Sequence, residues 1–298
     1  MSTKSVELAR SGKLVVEKKY GLSYDEFAKD HLFANYPVVI GDACENWPAK
    51  DKFTPEFFRE NYGHRDVKVQ GKWYKLSEYI DLMLTGTEEN PAPYPCKLQI
   101  DRDYPELVKD VSPRLKYATP DRAYSKLLPS QFLGGADMLE IFFGSPGGQF
   151  PYLHYDYMCL HAYITQVYGQ KEFTVIPPNQ TEFVYPNPEN PWVSMIDDQI
   201  NPDLKKFPLW AKATPLKFVI GPGETLFIPC GWWHTAHSVT PTISVALDCL
   251  NDSNWKNFIG EVDIMMSRQK PLKAKVAKAY LQVVGAVLKT AEAMNINL

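Results

Sequence analysis

The run His161-Ala162-Tyr163-Ile164-Thr165-Gln166-Val167-Tyr168-Gly169-Gln170-Lys171-Glu172-Phe173-Thr174-Val175-Ile176 decides the fold. His161 to Tyr168 and Lys171 to Ile176 are dense in β-branched and aromatic residues, and Gly169-Gln170 interrupts them. The same short β-prone segments continue outward on both sides. They run over Asp137 to Gly144, Leu216 to Ile220, Glu224 to Ile228, His234 to Val239 and Ile243 to Leu250. Gly144-Ser145-Pro146-Gly147-Gly148 and Gly221-Pro222-Gly223 supply turns between them.

Short strands at this spacing predict a mainly β fold, a double-stranded β-helix barrel of the jelly-roll or cupin kind, with helices at both ends. Phe27, Leu32 and Phe33 fall at helical spacing within residues 23 to 36, and Tyr36 to Gly41 reads as a short buried strand. Thr54-Pro55-Glu56 opens a helix that stops at Gly63, because threonine can cap and proline suits the first turn. Asp66 to Val69 and Gly71 to Tyr74 predict a hairpin, followed by a helix near Leu76 to Leu84 and a proline-rich loop from Asn90 to Pro95. Near the end, Leu272, Val276, Tyr280, Val283 and Val287 form one apolar helical stripe, which Val284 and Leu288 widen. The expected organisation is one domain over residues 1–298: a helical lead at 1–36, the barrel at 37–250 and helices at 251–298. Phe183, Trp192, Phe207 and Trp210 mark residues 177–215 as an ordered insertion over the barrel mouth.

The 298 residues are 45% hydrophobic, 13% aromatic and 22% charged, the make-up of a globular protein with a filled core. A net charge of −3 and a pI near 6.1 provide no broad positive field for nucleic acid or anionic membrane. No apolar run approaches a membrane span, and the first residues lack a secretory signal core, so no membrane partner is expected. Cys44, Cys96, Cys159, Cys230 and Cys249 form no C-x-x-C pair and read as buried small apolar side chains in a reducing compartment. The expected location is cytoplasmic, or nuclear in a eukaryote.

The chemistry gathers at His154-Tyr155-Asp156. On an extended segment, residues two apart face the same way, so one imidazole and one carboxylate reach a common point. A third ligand must come from elsewhere in the fold, and His234 stands where the chain turns back after Pro229-Cys230-Gly231-Trp232-Trp233. Two histidines and a carboxylate on one face of iron(II) leave positions for a bidentate cosubstrate and dioxygen. Lys171 is in phase with Phe173 and Val175, so its ammonium points inward with them. A lysine inside an apolar barrel needs an anion, and the distal carboxylate of 2-oxoglutarate is a natural partner. A lysine at the strand start that bends out to water is the plainer alternative.

Residues 37 to 250 resemble the JmjC, or cupin-like, oxygenases. The resemblance rests on Pro37-Val38-Val39-Ile40 with Asn46-Trp47-Pro48, on His154-Tyr155-Asp156, and on Gly169-Gln170-Lys171 leading to Val175-Ile176-Pro177-Pro178. Gly221-Pro222-Gly223-Glu224 through Ile228-Pro229 to Trp232-Trp233-His234 completes it. Within the family the chain is most similar to small hydroxylases such as the asparaginyl hydroxylase acting on hypoxia-inducible factor. The resemblance implies iron(II) held by His154, Asp156 and His234, and 2-oxoglutarate anchored by Lys171. It implies hydroxylation of a protein side chain, asparaginyl, lysyl or similar, with release of succinate and carbon dioxide. Demethylation would need a methylated amine as the target. It also implies a homodimer paired through the C-terminal helices.

This chain departs from the family at Pro151, where many relatives place a hydroxyl residue that helps bind the cosubstrate. Tyr163 and Thr165 are the substitutes expected from strand phase, and His161 stands near the place of a family asparagine. Gln99, in phase with Lys97, is a further pocket residue by the same comparison. His237 is three residues past His234 and faces the other way, and Trp232 and Trp233 read as packing residues. Two rival functions stand beside the protein hydroxylase. One is an RNA-base hydroxylase, because His154 to Met158 also resembles a hydroxylase of a modified transfer-RNA guanosine. The other is a cupin-like binding module without turnover.

Overall fold

A computed structural model describes residues 15–136, 138–268, 270–296 and 298. The first residues and Asp137, on which the reading of the amino terminus and the start of one strand fall, lie outside the described residues.

Between residues 139 and 249 most of the regular structure is β. The strands are β1 (Lys18–Lys19), β2 (Val38–Ile40), β3 (Asp66–Val69), β4 (Lys72–Lys75), β5 (Cys96–Gln99), β6 (Leu139–Gly144), β7 (His161–Tyr168), β8 (Lys171–Ile176), β9 (Leu216–Ile220), β10 (Thr225–Ile228), β11 (Trp233–Ser238) and β12 (Thr242–Cys249). Seven of them form one large sheet in the order β1-β2-β10-β7-β12-β6-β5, and β11-β8-β9 form a second. All these pairings are antiparallel except β1 on β2. The chain passes from the large sheet to the small one at Gly169-Gln170, where Gly169 holds φ +72° and a Cβ would meet the Pro241 carbonyl oxygen. Glycine alone accepts both conditions without strain.

Helices flank the sheets. α1 (Pro55–Tyr62) starts where Thr54 accepts the Phe57 amide, as the Thr-Pro-Glu signal predicts. The hairpin β3–β4 follows, then α2 (Leu76–Thr85), which buries Leu76, Tyr79, Ile80 and Met83. Among the described residues the lead is not purely helical: Lys18-Lys19 adds a parallel strand to β2, and helix runs from Tyr24, continuing as a wider turn to Leu32. Ser23 and Glu26 close a capping box there. In 177–215 two 3-10 turns, Pro178–Val184 and Pro208–Lys212, are joined by irregular chain, and the segment buries Val184, Ile196 and Phe207.

α3 (Trp255–Ser267) and α4 (Pro271–Ala293) close the chain against each other. The docked face of α4 is Ala274, Ala277, Leu281, Val284, Leu288 and Ala291. Leu272, Val276, Tyr280, Val283 and Val287 remain exposed. Of the expected stripe only Val284 and Leu288 are docked, with Leu281 and the alanines beside them, and the other five residues form the uncovered face. At Gly285 a Cβ would sit 2.2 Å from the Trp255 indole nitrogen. Among the described residues no helix is long and apolar enough to cross a membrane.

Candidate metal centre and its cavity

His154 and His234 are joined through their backbones before their side chains meet. Each amide donates to the other's carbonyl, at 3.0 and 2.6 Å, in an isolated antiparallel bridge. The bridge carries the loop before β7 onto the first residues of β11 and sets the two imidazoles 4.3 Å apart between ring centres. Asp156, two residues on, brings Oδ1 to 3.8 Å from His234 Nε2. One ligand atom from each of the three residues lies within 4.8 Å of the others, a spacing that a single metal ion fits.

The surroundings fix which nitrogens face inward. His154 Nδ1 lies 3.3 Å from the Tyr152 carbonyl and His234 Nδ1 lies 3.0 Å from that of Trp232. With Nδ1–H donating to these oxygens, each ring keeps an Nε2 lone pair for a metal. Phe150 stacks on His154 at 4.7 Å, and Tyr152 meets its edge at 5.2 Å. Burial, and then His234, hold the His154 pKa well below the usual value, so the ring is neutral as a ligand must be. Burial raises the Asp156 carboxyl while His234 pulls it down. A dication at the centre would favour the carboxylate further. Trp232 and Trp233 are the packing residues expected, donating to the Asn35 carbonyl and the Thr181 hydroxyl at 2.9 Å each. His237 turns away to Glu88 at 2.8 Å.

The three ligands line a cavity of about 190 Å³ with side chains from both sheets. Lys171 lines it too and is only 2% exposed. Its ammonium donates to Ser244 Oγ at 2.8 Å and to the Tyr94 hydroxyl at 3.4 Å, and it lies near the faces of Tyr94 and Phe142. Ser244 Oγ donates in turn to Gln166 Oε1 at 2.7 Å. No carboxylate of the described residues forms an ion pair with Lys171, and burial lowers its pKa to about 7. A buried ammonium facing a cavity with only neutral partners would be stabilised by an anionic ligand.

Three expected pocket residues belong elsewhere, and strand parity is the reason. On β7 the residues that line the cavity are Ala162 and Ile164, so 161, 163 and 165 face the opposite side. Tyr163 packs between Phe27 and Phe227 and donates to the Tyr117 carbonyl at 2.6 Å. Thr165 bonds Thr225 across the strand pair at 2.8 Å. His161 accepts the Cys230 amide on Nδ1 and meets Ser253 on Nε2, and burial lowers its pKa to about 3. It is a neutral structural histidine. Gln99 reaches the cavity only indirectly, through a 2.5 Å bond to Glu140, while Lys97 and Glu140 themselves line it. Sequence reasoning missed Tyr94, Ser244 and Gln166. Ser244 left a trace, as a polar residue in the apolar run Thr242 to Leu247, but Tyr94 sits in an irregular proline loop with no periodicity to read.

Two largely antiparallel sheets, with a His-Asp-His triad that could hold a metal and a buried lysine on one cavity, define the class as cupin-like. Residues 24–249 match the family model described as a cupin-like domain, and the chain belongs to that family. It is 28% identical over 242 residues to lysine-specific demethylase 8 of Danio rerio, covering 75% of this chain and 55% of that protein. It is 25% identical over 246 residues to the bifunctional arginine demethylase and lysyl-hydroxylase psr-1 of Caenorhabditis elegans, covering 75% and 58%. Lysine-specific demethylase JMJ21 of Arabidopsis thaliana is 27% identical over 253 residues, covering 80% of this chain but 26% of its own length. The chain thus spans a quarter to about three-fifths of these three relatives. These relatives uphold the JmjC resemblance, and iron(II) and 2-oxoglutarate are the cofactors of JmjC oxygenases.

Proposed function

We propose that this protein is an iron(II)- and 2-oxoglutarate-dependent dioxygenase that hydroxylates a protein side chain. The observation that carries this reading is the single cavity shared by His154, Asp156, His234 and Lys171. The two Nε2 atoms and one Asp156 oxygen hold the metal, and Lys171, with Tyr94 and Ser244 beside it, receives the far carboxylate of the cosubstrate. Iron and 2-oxoglutarate together supply the oxidising power for inserting one oxygen atom into a C–H bond, with succinate and carbon dioxide as by-products. The protein's own work is positional. The backbone bridge fixes the two imidazoles, the Nδ1 bonds fix their tautomers, and Phe150 and Tyr152 shield the His154 ring from water. A protein substrate agrees with relatives named for lysine and arginine demethylation and lysyl hydroxylation.

On this reading the two sheets close as one double-stranded β-helix within a single domain. The exposed face of α4 meets its counterpart in a second copy, the same residues contributing from each side. The test of function is succinate formation from 2-oxoglutarate under air with iron(II), together with mass spectrometry of a peptide library. Expected are a peptide gaining one oxygen and succinate in matching amount. Absence of both from metal-loaded protein would refute an oxygenase and leave a binding module.

A further inference from the structure

Asp248 is a carboxylate that the metal centre does not use. On β12, Ser244, Ala246 and Asp248 share the face turned to the cavity. Ser244 holds Lys171 at one end. Asp248 lies four residues on, about 13 Å away at roughly 3.3 Å per residue. It is therefore at the far end of the cavity from the anion site. The space before it is open: its neighbour in register on β7 is Ala162, and Ala246 precedes it on the same face. Phe150 and Tyr152 line the same cavity and offer aromatic surface.

The charges there do not balance. Glu140 is paired with Lys97 at 2.8 Å and bonded by Gln99. Asp156 is compensated once a dication is held. The Asp248 carboxylate makes no hydrogen bond or ion pair among the described residues, and its backbone alone is engaged, with Met138 and Arg114. Burial first, then the charges of Asp156, Glu140 and Asp121, push its pKa well above the usual range, and Lys97 only partly opposes them. A deeply set carboxyl facing open space with no donor is relieved by a cation that comes with the ligand.

We propose that Asp248 receives the positively charged end of the substrate side chain, so that the site selects a basic residue, lysine or arginine. This deepens the oxygenase reading and rests on it for the identity of the substrate. A neutral side chain of the same length would leave the carboxyl without a partner, whereas an ammonium or guanidinium supplies charge-assisted hydrogen bonds in a site of low dielectric.

The test uses fluorescent peptides alike except at a central residue: lysine, arginine, norleucine or citrulline. Each is titrated against full-length protein loaded with manganese(II) and 2-oxoglutarate, so that binding is read without turnover. The lysine or the arginine peptide is expected to bind at least about tenfold more tightly than its neutral counterpart; which of the two does so identifies the cation. Asp248→Asn is expected to bring the ratio close to one, and Asp248→Glu to keep most of it. A wild-type ratio near one, including no measurable binding of any peptide, overturns the assignment, as does a ratio that survives Asp248→Asn. Repeating the panel with iron(II) under air separates the two readings. Cationic peptides bound but never oxidised would sink the oxygenase and leave Asp248 in its role. Neutral peptides bound and oxidised in preference would do the reverse.

Discussion

Replacing Lys171 with methionine tests the anion site on two sides at once. The stem's volume stays while the ammonium goes, so packing around Tyr94, Phe142 and Ser244 is largely kept. A hydrogen bond to a charged group is worth about 1.5–3 kcal/mol, so 2-oxoglutarate affinity should fall about 10- to 150-fold. Stability of the ligand-free protein should move the other way. Burial holds Lys171 to a pKa of about 7, against roughly 10.4 in an unfolded chain. At pH 7 this difference is a penalty on the order of 4 kcal/mol, which methionine removes. Because the folded pKa is the lower one, the unfolded chain binds more protons between pH 7 and about 10.4. Wild-type stability without ligand therefore rises across that window, and the variant lacks the rise. An arriving carboxylate raises the lysine pKa again, so binding takes up a proton. Above pH 7 wild-type affinity should fall by up to about tenfold per unit. The Tyr94 hydroxyl facing the ammonium is pushed up by burial and stays neutral throughout. Calorimetric titration with manganese(II) in place of iron, at pH 6.5, 7.5 and 8.5, measures the affinity, and denaturant melts of both ligand-free proteins between pH 7 and about 10 measure the stability. Unchanged affinity in Lys171→Met, or a wild-type affinity independent of pH, would refute the anion-site reasoning.

Tyr163→Phe should leave cosubstrate affinity unchanged and cost about 1 kcal/mol of stability, because its hydroxyl serves the Tyr117 carbonyl and not the cavity; parallel binding and denaturant titrations check this. Gly285→Ala, although it adds helix propensity, should destabilise by about 1–3 kcal/mol because the new methyl meets Trp255, and a thermal melt that rises would contradict that contact. Val283→Glu with Val287→Glu should convert a dimer into a folded 34.0 kDa monomer in light scattering, since both side chains are exposed on the single chain; a wild-type monomer at micromolar concentration would end the dimer proposal.

The parts of the site that could be read from the sequence are those where chemistry and local geometry coincide. His154 and Asp156 are two apart on extended chain, and His234 follows a turn whose Gly231 takes φ +78°. Lys171 is legible because a charge in phase with Phe173 and Val175 must turn inward with them. Parity on β7 could not be read, since the strand is buried on both faces and apolar residues do not announce the cavity side. Strand phase alone therefore puts Tyr163 and Thr165 on the wrong face. On α4 the eye goes to Leu272, Val276, Tyr280, Val283 and Val287, yet the docked face interleaves Leu281, Val284 and Leu288 with alanines and Gly285, where Trp255 leaves no room for a side chain. Asp248 and Tyr94 gain their place only from tertiary structure. The one is set opposite Ala162 by register, and the other is carried to Lys171 by an irregular loop.

The most direct measurement is an anaerobic crystal structure of the protein with manganese(II) and 2-oxoglutarate. The metal is expected on His154 Nε2, His234 Nε2 and an Asp156 oxygen, with the far cosubstrate carboxylate against Lys171 Nζ. A metal held by other residues, or a carboxylate that leaves Lys171 bonded only to Ser244 and Tyr94, would contradict the assignment.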